Sequence, residues 1–169
     1  LVMLLVTSMQ VQADPGKIPM EAFFKDAQFT TMSISPDGQH LAVIYDSGTS
    51  NTLAIMDVGL TQIKAKINFG EFMRIGSRIM WPRDDRFILS YSKFVGYLDT
   101  RGSPAIYVAY DLDGKNGRQL TVPQRTRYNI ISMMPSEPDK VLVTKQHWAD
   151  EGAAKLFTIN IDNGKESYI

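Results

Sequence analysis

The 169-residue sequence contains no cysteine and only two histidines, and its 18 Lys and Arg are matched by 18 Asp and Glu. Without cysteine there is no disulfide frame, no thiol nucleophile and no thiolate metal site, and no cellular compartment is singled out. Zero formal charge argues against a broad nucleic-acid footprint or a grip on an anionic membrane, since both need a surplus of basic side chains. Pairs such as Lys64/Lys66 and Arg125/Arg127 read as solvated faces. His40 and His147 have no partner at HxxxH-type spacing, so a zinc site would have to be gathered from scattered carboxylates. Both are expected to be ordinary strand or turn residues. Asp111-Leu112-Asp113-Gly114 opens like a calcium loop, but the later spaced acids and the closing Glu are missing. Adjacent Asp84 and Asp85 would point apart in a strand or turn, which makes a poor acid/base pair. No residue is assigned a catalytic, metal-binding or cofactor-binding role, and no cofactor is expected.

Long apolar runs are also missing. Leu1–Val6 is nearly all apolar, and small or polar residues follow as far as Val11-Gln12-Ala13. Such a stretch is too short to span a bilayer and reads as part of a secretory signal, residues 1–13, with cleavage before Asp14. The alternative is a buried N-terminal strand. Export to the periplasm or out of the cell is the better reading, with no membrane span. Residues 14–28 read as a linker and a short helix over Met20–Lys25, with Pro19 at its start and Phe23 and Phe24 as apolar anchors.

What is present is strand after strand. Thr30, Met32 and Ile34 alternate before Ser35-Pro36-Asp37-Gly38, and Leu41, Val43 and Tyr45 alternate after it. Pro36 presets a turn, Asp37 can bond the turn backbone, and Gly38 accepts positive φ without steric cost. Ile63, Ala65, Ile67 and Phe69 share one face of a later strand, opposite Gln62, Lys64, Lys66 and Asn68.

The plan recurs. Leu41, Phe87 and Val141 each open a second strand, and Gly59, Gly114 and Gly164 each sit in a third turn. Pro82-Arg83-Asp84-Asp85 and Pro135–Asp139 echo the first turn. Four strands per unit at a period near fifty predict an all-β, partial β-propeller of four-stranded antiparallel blades, about two and a half to three of them. The blades fall at about 29–70, 77–123 and 128–169. A sandwich also has many short strands, but it need not return the same turn to the same place. Since propellers close with about four to eight blades, the chain is expected to be a fragment of a longer protein. Stripes such as Phe87/Leu89/Tyr91 are expected between blades. The Lys93–Pro104 loop, with Phe94, Tyr97 and Leu98, is the stretch best suited to touch another domain or a ligand.

Ile18-Pro19-Met20-Glu21-Ala22-Phe23-Phe24, followed by Ser33–Gly38 and Leu41-Ala42-Val43, resembles the N-terminal propeller region of the prolyl oligopeptidase family of serine peptidases. The likeness is to its bacterial exported members of dipeptidyl-aminopeptidase and acylaminoacyl-peptidase type. Trp81 ahead of Asp84-Asp85, and the strand 51–58 with Asp57, suit the family's second and first blades. The resemblance implies a propeller that restricts short peptides on their way to an α/β-hydrolase domain, which would be this chain's own C-terminal partner. That catalytic domain is absent from the sequence given. There is no Gly-x-Ser-x-Gly elbow, and Gly48-Thr49-Ser50-Asn51-Thr52 lacks the final glycine. The same Ser-Pro-Asp-Gly turn is common in TolB-type propellers, so a periplasmic protein-binding module is the alternative. A propeller enzyme with its site in the central channel would need convergent polar residues, and none is identified.

Overall fold

From Phe29 onward the alternating residues form strands, and the described residues contain no helix. The structure, a computed structural model, describes residues 29–46, 50–59, 62–70, 73–93, 105–122, 124–150 and 152–169. The expected signal segment, the short helix after Pro19 and nearly all of the Lys93–Pro104 loop lie outside them.

Three antiparallel meanders follow one another. The first sheet is β1 (Phe29–Ile34), β2 (His40–Asp46), β3 (Asn51–Asp57) and β4 (Ile63–Phe69), paired in that order. The second is β5 (Met73–Arg83), β6 (Arg86–Lys93), β7 (Ile106–Asp111) and β8 (Arg118–Gln119). The third is β9 (Thr126–Ser132), β10 (Lys140–His147), β11 (Lys155–Asn160) and β12 (Glu166–Tyr168), again in chain order. Each strand pairs antiparallel with its neighbour along the chain, so each unit becomes a four-stranded blade. The fold class is all-β, a partial propeller.

Two details differ from the sequence pattern. β5 runs on through Pro82 and Arg83, and the turn shrinks to Asp84-Asp85, with Arg83 level with Arg86. Proline is tolerated there because β5 is the first strand of its sheet and has only one ladder to serve. β8 is only two residues long, although Leu120 and Thr121 beyond it are buried.

The apolar residues bury in two layers. The first lies between sheets one and two and joins Ala42, Ile44, Leu53 and Ile55 to Ile79, Trp81, Phe87 and Leu89. The second lies between sheets two and three and joins Met80, Ile88 and Ala109 to Val141, Val143 and Ile159. β6 serves both layers, because successive side chains point to opposite faces. Phe87 and Leu89 enter one layer and Ile88 the other, all three fully buried. The repeat keeps this phase. Val141 and Val143 face the preceding sheet as Phe87 and Leu89 do, and Ala42 faces the following sheet as Ile88 does. Burying one such side chain contributes about 1.5–3 kcal/mol.

Turn glycines lock each blade to its predecessor. Gly114, at φ +75°, would place a Cβ 3.2 Å from the Ala65 Cβ and 3.1 Å from Ile67 on β4. Gly164, also at +75°, stands over Arg118 and Gln119 of β8. Only glycine combines that backbone with that approach at no steric cost.

Candidate functional site

The first turn of each blade and its third turn lie at the same end of the sheets, and polar side chains collect there. The residue opening the second strand is basic in every blade and pairs across with the residue ending the third: His40 with Asp57, Arg86 with Asp111, Lys140 with Asn160. His40 Nδ1 lies 3.5 Å from Asp57, which also holds Lys64 at 3.3 Å. Arg86 bonds Asp111 tightly. Asn160 instead donates to Asp139, at 3.0 Å.

In the first turn, the Ser35 hydroxyl donates to Asp37 and accepts from the His40 amide. The Ser35 hydrogen bond, and then the Gln39 amide, hold the Asp37 carboxyl below its usual value of 3.8. Its serine is therefore a turn brace, tied to a carboxylate acceptor and a backbone donor. The Asp37 amide donates to Asp84 of the next blade at 2.9 Å. Asp85 accepts from Arg83 Nε at 2.9 Å. These adjacent carboxylates thus take different partners, Asp84 the preceding blade and Asp85 an arginine of its own.

The densest cluster spans the second and third sheets. Arg83 forks onto Asp162, with Nη1 and Nη2 at 3.1 and 3.2 Å from its two oxygens. That contact raises the Arg83 guanidinium above its already high value. Arg86, whose side chain is 5% exposed, also donates to the Ile161 carbonyl at 3.1 Å and places Nε 3.4 Å from Asp162. The Nε contact is electrostatic, since its geometry is not that of a hydrogen bond. These groups border an open cleft of about 780 Å³, lined by Arg83, Asp85, Arg86, Asp111, Asn116 and Asp162 among others. The guanidiniums of Arg83 and Arg86 already face carboxylates, so the cluster can clamp two blades together.

Within the third sheet, Lys145 bonds Glu166 at 2.6 Å and lies 5.3 and 5.2 Å from the rings of Tyr128 and Phe157. Burial works to lower its pKa, and the bonds to Glu166 and Tyr128 outweigh it, so the amine stays charged. Burial likewise raises the phenols of Tyr107 and Tyr110.

The residues weighed from sequence are placed plainly. His147 Nδ1 accepts from the Ala149 amide in a turn. Asp111 is taken by Arg86 and Asn116, and Asp113 by Lys115. Among the described residues no group of three or more His, Cys, Asp or Glu could hold a metal ion. Sequence reasoning missed the Arg83–Asp162 and Arg86–Asp162 contacts, which join residues far apart along the chain. One signal was available: a basic residue stands just before Leu41, Phe87 and Val141 alike.

Solved structures agree with this architecture. The chain is a β-propeller segment. A candidate TolB from Agrobacterium tumefaciens superposes with a TM-score of 0.51 at 14% identity, covering 83% of this chain and 47% of that one. The acylaminoacyl peptidase of Pyrococcus horikoshii gives 0.53 at 11%, over 85% of this chain and 25% of the other. A structure from a study of two prolyl endopeptidases gives 0.50 at 17%, over 82% and 20%. The chain thus spans less than half the length of each. No family model and no curated protein matches it. Identities this low show the shared fold alone. Among the described residues, no helix is long and apolar enough to cross a membrane.

Proposed function

We propose that this chain is the N-terminal propeller portion of an exported serine peptidase of the prolyl oligopeptidase family. Its role there is to limit entry of short peptides to an α/β-hydrolase active site carried by the same polypeptide. The observation that carries the reading is the Ile18–Phe24 segment leading into Ser33–Gly38, set ahead of a meander-blade array. Structural likeness to an acylaminoacyl peptidase and a prolyl endopeptidase supports it. In the complete enzyme a serine would attack the scissile carbonyl as a histidine takes its proton, with an aspartate orienting the imidazole. Those three residues would lie outside this chain, which would have no activity of its own.

A second reading is favoured by one observation: of the three structures, the chain covers the largest share of the TolB-type one. It is a periplasmic propeller that binds partner proteins and catalyses nothing. Labelling with a fluorophosphonate separates the two, applied to the protein at the full length its gene encodes. The peptidase reading expects one covalently labelled serine, hydrolysis of aminoacyl-arylamides, and neither in residues 1–169 alone. An unlabelled full-length protein would falsify it and leave the binding module.

A further inference from the structure

Two Asn-Gly steps occur in the sequence, Asn116-Gly117 and Asn163-Gly164, in the third turns of the second and third blades. This dipeptide is chemically labile. Asparagine is among the thermolabile residues, and glycine has no side chain to hinder attack of its own nitrogen on the asparagine carboxamide. How fast a folded chain reacts depends on how firmly that nitrogen and that carboxamide are held.

The later step is tied at both groups. The Gly164 amide donates to the Asn160 carbonyl at 2.8 Å, and Asn163 Oδ1 accepts from the Lys165 amide at 2.8 Å. The Asn163 amide donates to Asn160 Oδ1 at 3.0 Å. Gly164 itself is seated over Gln119 and Arg118 of β8. Bringing the nitrogen to the carboxamide would break this set of bonds.

The earlier step is much freer. It lies past Gly114, at the entry to β8. Leu120 donates to the Tyr107 carbonyl at 2.8 Å, and β8 pairs Gln119 with Val108 and Arg118 with Ala109. Bonded and non-bonded pairs alternate in such a ladder, so the Gly117 amide turns away from β7 toward the open edge of the sheet. Among the described residues it has no acceptor. The exposed Asn116 carboxamide makes one hydrogen bond there, Nδ2 to Asp111 at 2.6 Å. Asp111 is 33% exposed and can rehydrate when that bond opens. Asn116 and Gly117 both line the open cleft, where water reaches them. A Cβ at 117 would lie 2.7 Å from the Tyr110 ring, which favours the very glycine that makes the step labile.

We propose that Asn116-Gly117 is a site of spontaneous deamidation, and that the same dipeptide at Asn163-Gly164 is protected by its turn. The Gly117 nitrogen gives up its proton and bonds to Asn116 Cγ. The Cγ–Nδ2 bond breaks, and Nδ2 leaves as ammonia with that proton. Water then opens the succinimide at either carbonyl, giving aspartate or isoaspartate. No electrons are transferred. Each conversion removes the donor to Asp111 and adds one negative charge to the cleft beside the Arg83–Asp162 contact. The inference is independent of whether the whole protein is a peptidase or a binding module.

The test uses the protein at the full length its gene encodes, aged at mildly alkaline pH in its folded state and in concentrated urea. Peptide mapping by mass spectrometry follows both steps, and an isoaspartyl methyltransferase with labelled methyl donor counts isoaspartate. In the folded protein Asn163 should convert at least about tenfold more slowly than Asn116, because its reaction waits for local opening of the turn. In urea the two should convert at similar rates. Asn116→Gln should remove the acidic band that grows in isoelectric focusing of the aged folded protein. Folded-state conversion of Asn116 no faster than that of Asn163 would overturn the proposal. A rate difference that persists in urea would also overturn it, by placing the cause in the flanking sequence.

Discussion

The two seams use the same positions of the blade and are closed by different chemistry. The seam between sheets one and two is aromatic, with Trp81 on Phe87 at 5.5 Å and Phe87 on Tyr110 at 5.9 Å. Across it run hydrogen bonds and, among the described residues, no ion pair. The Trp81 indole donates to Ser33 at 3.1 Å, and the Thr31 hydroxyl donates to the Ser77 carbonyl at 3.1 Å. The seam between sheets two and three is mostly aliphatic, with Tyr128, Tyr107 and Phe157 at its margin, and its rim is ionic, held by Arg83, Arg86 and Asp162. The repeat therefore prescribes where blades meet and leaves open what holds them. Each blade touches only its neighbours, so the seams can be weakened one at a time.

The largest effect should come from the aromatic seam. Phe87→Ala leaves a cavity under Trp81 and is expected to cost about 3–5 kcal/mol in urea denaturation. Hydrogen exchange should show the first sheet losing protection before the third. Arg86→Met attacks the ionic seam and should cost less, about 1.5–3 kcal/mol, the scale of a hydrogen bond to a charged group. Its partners Asp111 and Asp162 are 33% and 46% exposed and can rehydrate. Here the third sheet should lose protection first, and an unchanged order of exchange would break the comparison.

Gly114→Ala tests the turn that locks sheet two onto β4. Strain at φ +75° and contacts of 3.1–3.3 Å should cost about 1–2 kcal/mol, read as a lower urea midpoint. Arg83→Ala should cost under about 1 kcal/mol, because Arg83 and Asp162 are partly solvated. That deficit should disappear in about 1 M salt, where the Debye length is roughly 3 Å. Ser33→Ala, which removes a neutral hydrogen bond from the first seam, should keep its deficit in salt. The smallest effect concerns Asp37, whose folded pKa lies below 3.8. Its contribution is fully present above the unfolded value and is lost as pH falls through the folded one. Asp37→Asn should flatten stability against pH below about 3.8 and leave the neutral-pH salt response of the ionic seam unchanged.

Much of the fold was readable from residue order. Alternation located β2, β4 and β6 within a residue, because a strand half-buried in a layer needs an apolar residue at every second position. The end of β5 was not readable. Pro82 suggests a turn by its local chemistry, and only its place on a strand with one free edge lets it remain extended. Alternation at Met32 and Ile34 was also ambiguous. They align with Val43 and Leu41, yet stand 57% and 54% exposed on the face away from the second sheet. Local pattern marks two faces of a strand without saying which one finds a neighbour. The polar cluster was the least readable part, since Arg83 and Asp162 meet only once two separate blades have stacked.

By itself, then, the sequence determined the strand periods, the recurring turns and the basic residue at the head of each second strand. Those are local choices, settled by backbone sterics and by alternation along a few residues. The tertiary structure decided how Ser35, Pro82 and Asp162 are used, which faces are buried, and that one seam is closed by hydrogen bonds while the next is closed by ion pairs. These depend on residues brought together by stacking whole sheets, and the free energy of burial is set by the neighbour across the layer.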